Sequence, residues 1–219
     1  MPTRLPPVTR YLLIANVLVF ALQYLLRDDT TMALTRWFAL WPMGHDIAVD
    51  VGGGDIAGLG FRPWQLVTYG FMHGDTMHIL FNMYGLYMFG GLIESVLGAR
   101  RFAIYYIVCL VAAAAAQLVF LYYFEAERMF PTVGASGAIF GVLGAFAFLF
   151  PREKLMVFPI PLGIPAWLFV TGYGIAELVF GVTGTVAGIA HFAHLGGLVA
   201  GLALLAAWGI KRPPRRFGF

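Results

Sequence analysis

A chain of 219 residues that is 60% hydrophobic and only 11% charged, with a mean hydropathy of +0.81, is too apolar for a water-soluble domain of this size. Its formal net charge of +3 comes from basic residues flanking apolar runs, a membrane-flank pattern that gives no reason to expect a nucleic-acid partner. Runs of about 17 to 25 apolar residues span a bilayer. Six are expected here, roughly 10–27, 76–97, 102–124, 134–150, 162–182 and 188–210. The expected fold class is therefore all-α: a polytopic membrane protein, residues 1–219 forming one six-transmembrane-helix bundle in the lipid bilayer.

The first run follows Arg4 and Arg10 and ends at Leu26-Arg27-Asp28-Asp29 with no small-residue cleavage site. A retained anchor is expected rather than a signal peptide. The connection from about Asp28 to Asp75 carries Trp37-Phe38-Ala39-Leu40-Trp41-Pro42, a Gly52-Gly53-Gly54 turn and Phe61-Arg62-Pro63-Trp64. Its aromatics suit a segment lying in the membrane interface. The second run, preceded by His73, opens with His78 and Asn82. The last two, four apart, share a helix face and can aim hydrogen-bond donors into one space. Polar groups at membrane depth need partners, so a bond across helices and a catalytic role both fit this pair. The third run, with Ala112 to Ala116 and the sole cysteine Cys109, reads as scaffold, and one cysteine rules out an internal disulfide.

The fourth run starts in Gly134-Ala135-Ser136-Gly137-Ala138-Ile139-Phe140-Gly141. Only two serines occur in the chain. Ser95 lies beside Glu94 before Gly98, where a helix is expected to end. Ser136 instead sits among glycines at the start of an apolar helix, where unpaired N–H groups can hold a developing oxyanion. Gly137, Gly141 and Gly144 also fit a small-residue packing stripe. The fifth run carries Glu177, an acid in an apolar segment, which marks either a functional site or a side chain reaching interfacial water. In the sixth, His194, Gly197 and Gly201 fall on one face. If that face meets the glycines of the fourth run, His194 is carried toward Ser136, and a base within hydrogen-bond reach is what a hydroxyl nucleophile requires.

Other hydrolytic chemistries lack their residues. There is no His-Glu-x-x-His for a zinc protease and no pair of intramembrane aspartates. Lys154 and Lys211 are the only lysines, and Lys154 lies 18 residues beyond Ser136, about 27 Å along one helix. Histidines could in principle bind a metal, but no intramembrane carboxylate completes an obvious hydrolytic site.

Together, His78-Ile79-Leu80-Phe81-Asn82, Gly90-Gly91-Leu92-Ile93-Glu94 with Gly98, Gly134-Ala135-Ser136-Gly137 and Ala193-His194-Leu195-Gly196-Gly197 with Gly201 closely resemble the rhomboid intramembrane serine proteases over essentially the whole chain. The resemblance implies a six-helix fold and a Ser-His dyad, with Ser136 as nucleophile and His194 as general base and acid. His78 and Asn82 would then stabilise the oxyanion with the Ser136 N–H. It implies an endopeptidase that cuts membrane-protein substrates in or beside their transmembrane helices, with access past the fifth span and with neither a metal nor an organic cofactor. That span is expected to be the least firmly packed of the six, given its flanking Pro159 to Pro165 and Gly181 to Gly188 segments. A non-catalytic relative that binds membrane clients is the alternative, but such relatives typically lack the serine or the histidine. Two positions depart from the pattern. Trp64-Gln65 stands where some members have Trp-Arg, and Phe140 where some have tyrosine. Phe140 can pack on the His194 ring but cannot donate a hydrogen bond. His191 is a competing base that the Ala-His-x-x-Gly motif does not select.

Threading six spans puts ten of the fourteen Lys and Arg residues on one side, including Arg100, Arg101, Arg152, Lys154, Lys211 and Arg212, against Arg27, Arg36, Arg62 and Arg128 on the other. Both termini are therefore expected to be cytoplasmic, with the chain in the cell (inner) membrane. A cysteine placed at Phe219 should stay unlabelled by an impermeant thiol reagent in intact cells; labelling there would invert the topology.

Overall fold

In the computed structural model of the chain, residues 5–26, 29–43, 47–50, 55–124, 130–156, 163–185 and 188–212 are described. The Gly52-Gly53-Gly54 turn, Arg4, Arg27, Arg128, Arg215, Arg216 and the stretch 157–162 lie outside them. The fold is that of an all-α membrane protein, with a helix at each of the six apolar runs. These are α1 (Pro7–Leu25), α4 (Thr76–Gly85) continued by α5 (Gly91–Leu97), α6 (Ala99–Phe124), α7 (Ser136–Leu149), α8 (Ala166–Thr183) and α9 (His191–Ala207). Between α1 and α4 lie α2 (Asp29–Phe38), a hairpin of β1 (Ile47–Asp50) and β2 (Asp55–Leu59), and the short helix α3 (Gln65–Thr68). A second antiparallel pair, β3 (Lys154–Met156) with β4 (Gly163–Pro165), precedes α8.

Among the described residues, four stretches are long and apolar enough to cross a membrane: α1, α4 through α5, α6 and α8. Two differ from expectation, since α7 has 14 residues and α9 has 17. Burial accounts for the shortness of α7. Eleven of its residues are buried, so its neighbours rather than lipid surround its ends, and it need not match the bilayer thickness. The outer faces of α4, α6 and α8 carry exposed Phe81, Val119 and Val182, the apolar surface a lipid solvent requires.

Small residues bring the inner helices together. On α9, a Cβ at Gly197 would strike the Gly137 carbonyl of α7, and one at Gly201 would strike the Tyr105 hydroxyl and come 3.1 Å from Gly141 Cα. On α7, a Cβ at Gly141 would strike Cys109 of α6. The Tyr105 hydroxyl then donates to the Gly141 carbonyl at 2.6 Å, and the Tyr69 hydroxyl to the Leu110 carbonyl at 2.9 Å. Close packing, not hydrophobic exclusion, is what joins helices in lipid.

Two buried side chains fix the periphery. Glu94, 2% exposed, accepts from the Val8 and Thr9 N–H groups at 2.9 and 2.7 Å and from the Thr9 hydroxyl at 2.8 Å. A carboxylate thus meets the positive end of α1 and satisfies donors the helix leaves open. Gln65, fully buried, accepts from the Arg62 and Trp41 N–H groups at 3.1 and 3.3 Å. Its amide donates toward the Arg36 carbonyl at 3.4 Å. The glutamine therefore anchors the loop at the position where an arginine had been in question. Around it, Trp37 and Trp64 stack at 6.3 Å, and Arg62 lies 4.6 Å from the centre of the Trp37 ring.

The expectation that α8 is the least firmly packed span is corrected. It buries Ala166, Val170 and Glu177, whereas α1 buries only Thr9 and Asn16. Because the Gly197 contact is with backbone, no rotamer can relieve it. Gly197→Ala should lower stability by about 1–3 kcal/mol, the scale of an overpacked core, and Gly197→Val by more. Thermal melts in detergent that leave either variant at the wild-type midpoint would contradict the close approach.

Candidate active site

A cavity of about 1020 Å³ opens among α4, α7, α8 and α9, with Tyr69, His78, Asn82, Ser136, Tyr173 and His194 in its walls. Ser136 is the first residue of α7, with Ala135 as N-cap and no side-chain cap. Gly134 precedes it at φ +124°, a conformation that strains any residue with a Cβ. A β-bridge between Leu40 and Thr132 and a bond from the Gly134 N–H to the Tyr69 carbonyl at 2.9 Å hold the approach to this turn.

His194 lies in the first turn of α9 and reaches across the glycine seam. Its Nε2 is 2.7 Å from Ser136 Oγ. The Phe140 ring stacks on the imidazole, centroids 4.3 Å apart and planes 5° from parallel, as its place one turn past the serine allowed. Tyr173 of α8 packs against Phe140 at 4.8 Å, the rings tilted by 56°.

His78 and Asn82 stand on the α4 face that lines the same cavity. The Asp75 carboxylate caps this helix, accepting from the His78 N–H at 2.9 Å. A Cβ on Gly134 would lie 2.6 Å from His78 Nε2 and 3.7 Å from Asn82 Nδ2, so both donors sit over the turn that leads into Ser136. Asn82 is 5% exposed, and its Nδ2 makes no hydrogen bond. A buried amide donor without an acceptor is costly, and this one faces a cavity a ligand carbonyl can enter. Behind them His73, outside the spans, meets His78 edge-on at 5.1 Å. Burial, with the neighbouring His78 adding to it, lowers its pKa to about 4, so it is neutral at physiological pH.

Sequence reasoning thus named Ser136, His194, His78 and Asn82, and the structure brings all four to one cavity. It missed the surroundings of Glu177. That side chain does not reach interfacial water: it is 3% exposed. Its Oε2 is 2.6 Å from His191 Nδ1, and its Oε1 is 3.1 Å from His194 Nδ1. His191, considered as a rival base, is turned toward the carboxylate. The signal available in sequence was the pairing of one intramembrane acid with two histidines spaced a helical turn apart, but nothing local placed them together. Among the described residues no group of three or more His, Cys, Asp or Glu side chains is arranged to hold a metal ion.

Comparison with known proteins agrees with this architecture. A family model described as the Rhomboid domain matches residues 60–210. The chain is 33% identical over 154 residues to Rhomboid protein 1, mitochondrial, of Saccharomyces cerevisiae, covering 68% of this chain and 42% of that protein. It is 30% identical over 151 residues to Rhomboid protease GluP of Bacillus subtilis, covering 68% of this chain and 27% of that one. With Rhomboid protease GlpG of Haemophilus influenzae it shares 30% identity over 149 residues, 67% of this chain and 68% of the relative. It therefore spans well under half of the first two relatives and about two thirds of the third. On the extent of the domain match and of these identities, the chain belongs to the rhomboid family.

Proposed function

We propose that the chain is a serine endopeptidase that hydrolyses peptide bonds in or next to the transmembrane helices of membrane-protein substrates. The observation that carries this is the 2.7 Å contact between His194 Nε2 and Ser136 Oγ, made inside a cavity with an unpaired amide donor.

His194 Nε2 takes the Ser136 hydroxyl proton as Oγ bonds to the substrate carbonyl carbon. The carbonyl oxygen becomes an oxyanion, which the Ser136 N–H, Asn82 Nδ2 and a His78 ring N–H are disposed to receive. Collapse breaks the carbon–nitrogen bond, and the Nε2 proton passes to the leaving amine, giving an acyl-Ser136. Water then attacks the acyl carbon while His194 takes its proton. The ester bond to Oγ breaks, the proton returns to Oγ, and a carboxylic acid leaves. One difficult step is thereby split into two easier ones through a covalent intermediate.

The reacting groups lie within the first two turns of α4 and the first turns of α7 and α9. With Arg100, Arg101, Lys211 and Arg212 near the opposite ends of the helices, the positive-inside rule puts the cavity on the non-cytoplasmic side and both termini in the cytoplasm. All six helices then cross the inner membrane, α7 within a protein-lined centre. Substrate reaches the cavity sideways past α8, a helix whose Trp167, Leu178 and Val182 face outward. Its opening is not free, because the buried Glu177–His191 contact must separate, and breaking such a pair is strongly unfavourable.

In proteoliposomes carrying a transmembrane substrate with small residues at the cut, Ser136→Ala and His194→Ala should each abolish detectable cleavage. Their combination should lose no more than either alone, since groups acting in one step are non-additive. Asn82→Ala should lower kcat by about 10- to 1000-fold with little change in KM, the scale of one oxyanion donor. Cleavage by Ser136→Ala at the wild-type rate would refute the assignment.

A further inference from the structure

We propose that Glu177 is a positioning residue for His194, so that the reacting pair is supported by a carboxylate that His191 holds in place. The proposal rests on Ser136 and His194 being the reacting pair. It adds a third and a fourth member from residues that a two-residue site has no use for.

The chemistry of the contacts leaves few alternatives. Glu177 is 3% exposed inside α8, and a carboxylate there is tolerated only with partners. Its two oxygens are divided between two histidines of α9: Oε2 against His191 Nδ1 at 2.6 Å and Oε1 against His194 Nδ1 at 3.1 Å. A carboxylate accepts hydrogen bonds and does not donate them, so each facing Nδ1 carries the proton. For His194 that choice matters. With the proton on Nδ1, Nε2 presents its lone pair to the Ser136 hydroxyl, 2.7 Å away, which is the tautomer a general base needs. The opposite tautomer would turn an N–H toward the hydroxyl and a lone pair toward the carboxylate.

Charge gives the second half of the argument. When Nε2 takes the serine proton, an imidazolium forms in a water-poor pocket, with the stacked Phe140 ring at 4.3 Å over one face. An anion 3.1 Å from Nδ1 stabilises that cation most where the dielectric is low. Apart from His191, the other polar side chains packed nearby are Tyr173 of α8, His78 of α4 and the Ser136 hydroxyl. In this state the Nδ1 contact is at ion-pair distance but is not aligned as a hydrogen bond. Catalytic contacts are often loose before substrate binds and tighten afterwards. Glu177 moves no proton; it orients the ring and balances its charge.

His191 completes the arrangement. Three residues before His194, it occupies the same face of α9 one turn earlier, and its contact with Oε2 leaves Oε1 directed at His194. A merely structural role for this cluster, stapling α8 to α9, predicts effects on stability alone.

The test uses the full chain in proteoliposomes with a transmembrane substrate, reading kcat, KM and the melting midpoint for Glu177→Gln, Glu177→Asp and His191→Leu, with Ser136→Ala as reference. Glutamine keeps the volume and an acceptor for His191 but loses the charge and can offer an N–H to His194 Nδ1, favouring the wrong tautomer. Glu177→Gln should lower kcat by about 10- to 100-fold, less than the loss for the aligned acid of a serine-protease triad, with KM within twofold and an unchanged midpoint. Glu177→Asp, which restores the charge, should recover part of the loss. His191→Leu, which keeps Glu177 but frees Oε2, should cost about 3- to 10-fold in kcat and decides the matter if the glutamine variant folds poorly. A kcat within twofold of wild type in folded Glu177→Gln or His191→Leu, or losses that follow the melting midpoint alone, would overturn the proposal while Ser136→Ala remained inactive. Activity in Ser136→Ala would instead overturn the reading on which it rests.

Discussion

The distance between α7 and α9 is the constraint on which everything else depends. Gly197 lies so close to the Gly137 carbonyl that no side chain fits between them. That closeness brings the first turns of the two helices together, which is why a histidine on one can touch a serine on the other. Residues that merely let backbones approach would be wasted in water, where burying apolar area dominates; in lipid they supply the packing that joins helices. The same glycines that permit a bland packing stripe therefore also permit the chemistry, and the two readings of Gly137 and Gly141 turn out to be one.

Around that seam, three buried polar side chains are answered by specific partners. Glu94 closes the start of α1, Gln65 gathers the loop that carries Trp37 and Trp64, and Glu177 joins α8 to the two histidines of α9. Each substitutes for solvent that a membrane interior does not provide. The Asn82 amide Nδ2 makes no hydrogen bond, and it lies in the cavity wall. A donor left open where a carbonyl can arrive is available to a ligand.

Much of this was legible in the residues themselves. Runs of apolar sequence located the helices because membrane thickness sets their length, and α7 escaped that rule only because protein rather than lipid surrounds it. Ser136 stood out because serine is scarce and glycines flank it, and the spacing of His194, Gly197 and Gly201 carried the histidine onto the packing face. The role of Gln65 was not legible, since an amide that collects backbone groups from 3 to 29 residues away leaves no local pattern. Nor was Glu177, whose partners lie on another helix and whose burial depends on how α8 leans against α9. Pairings across helices are set by tertiary packing, which a single sequence does not display.

The central claim is that His194 activates Ser136 and no other hydroxyl. Because the chain contains only two serines, mass spectrometry after labelling with a fluorophosphonate reads that claim directly. The account predicts one adduct, on the peptide containing Ser136, lost in His194→Ala. An adduct on Ser95, or undiminished labelling of Ser136 without His194, would contradict it.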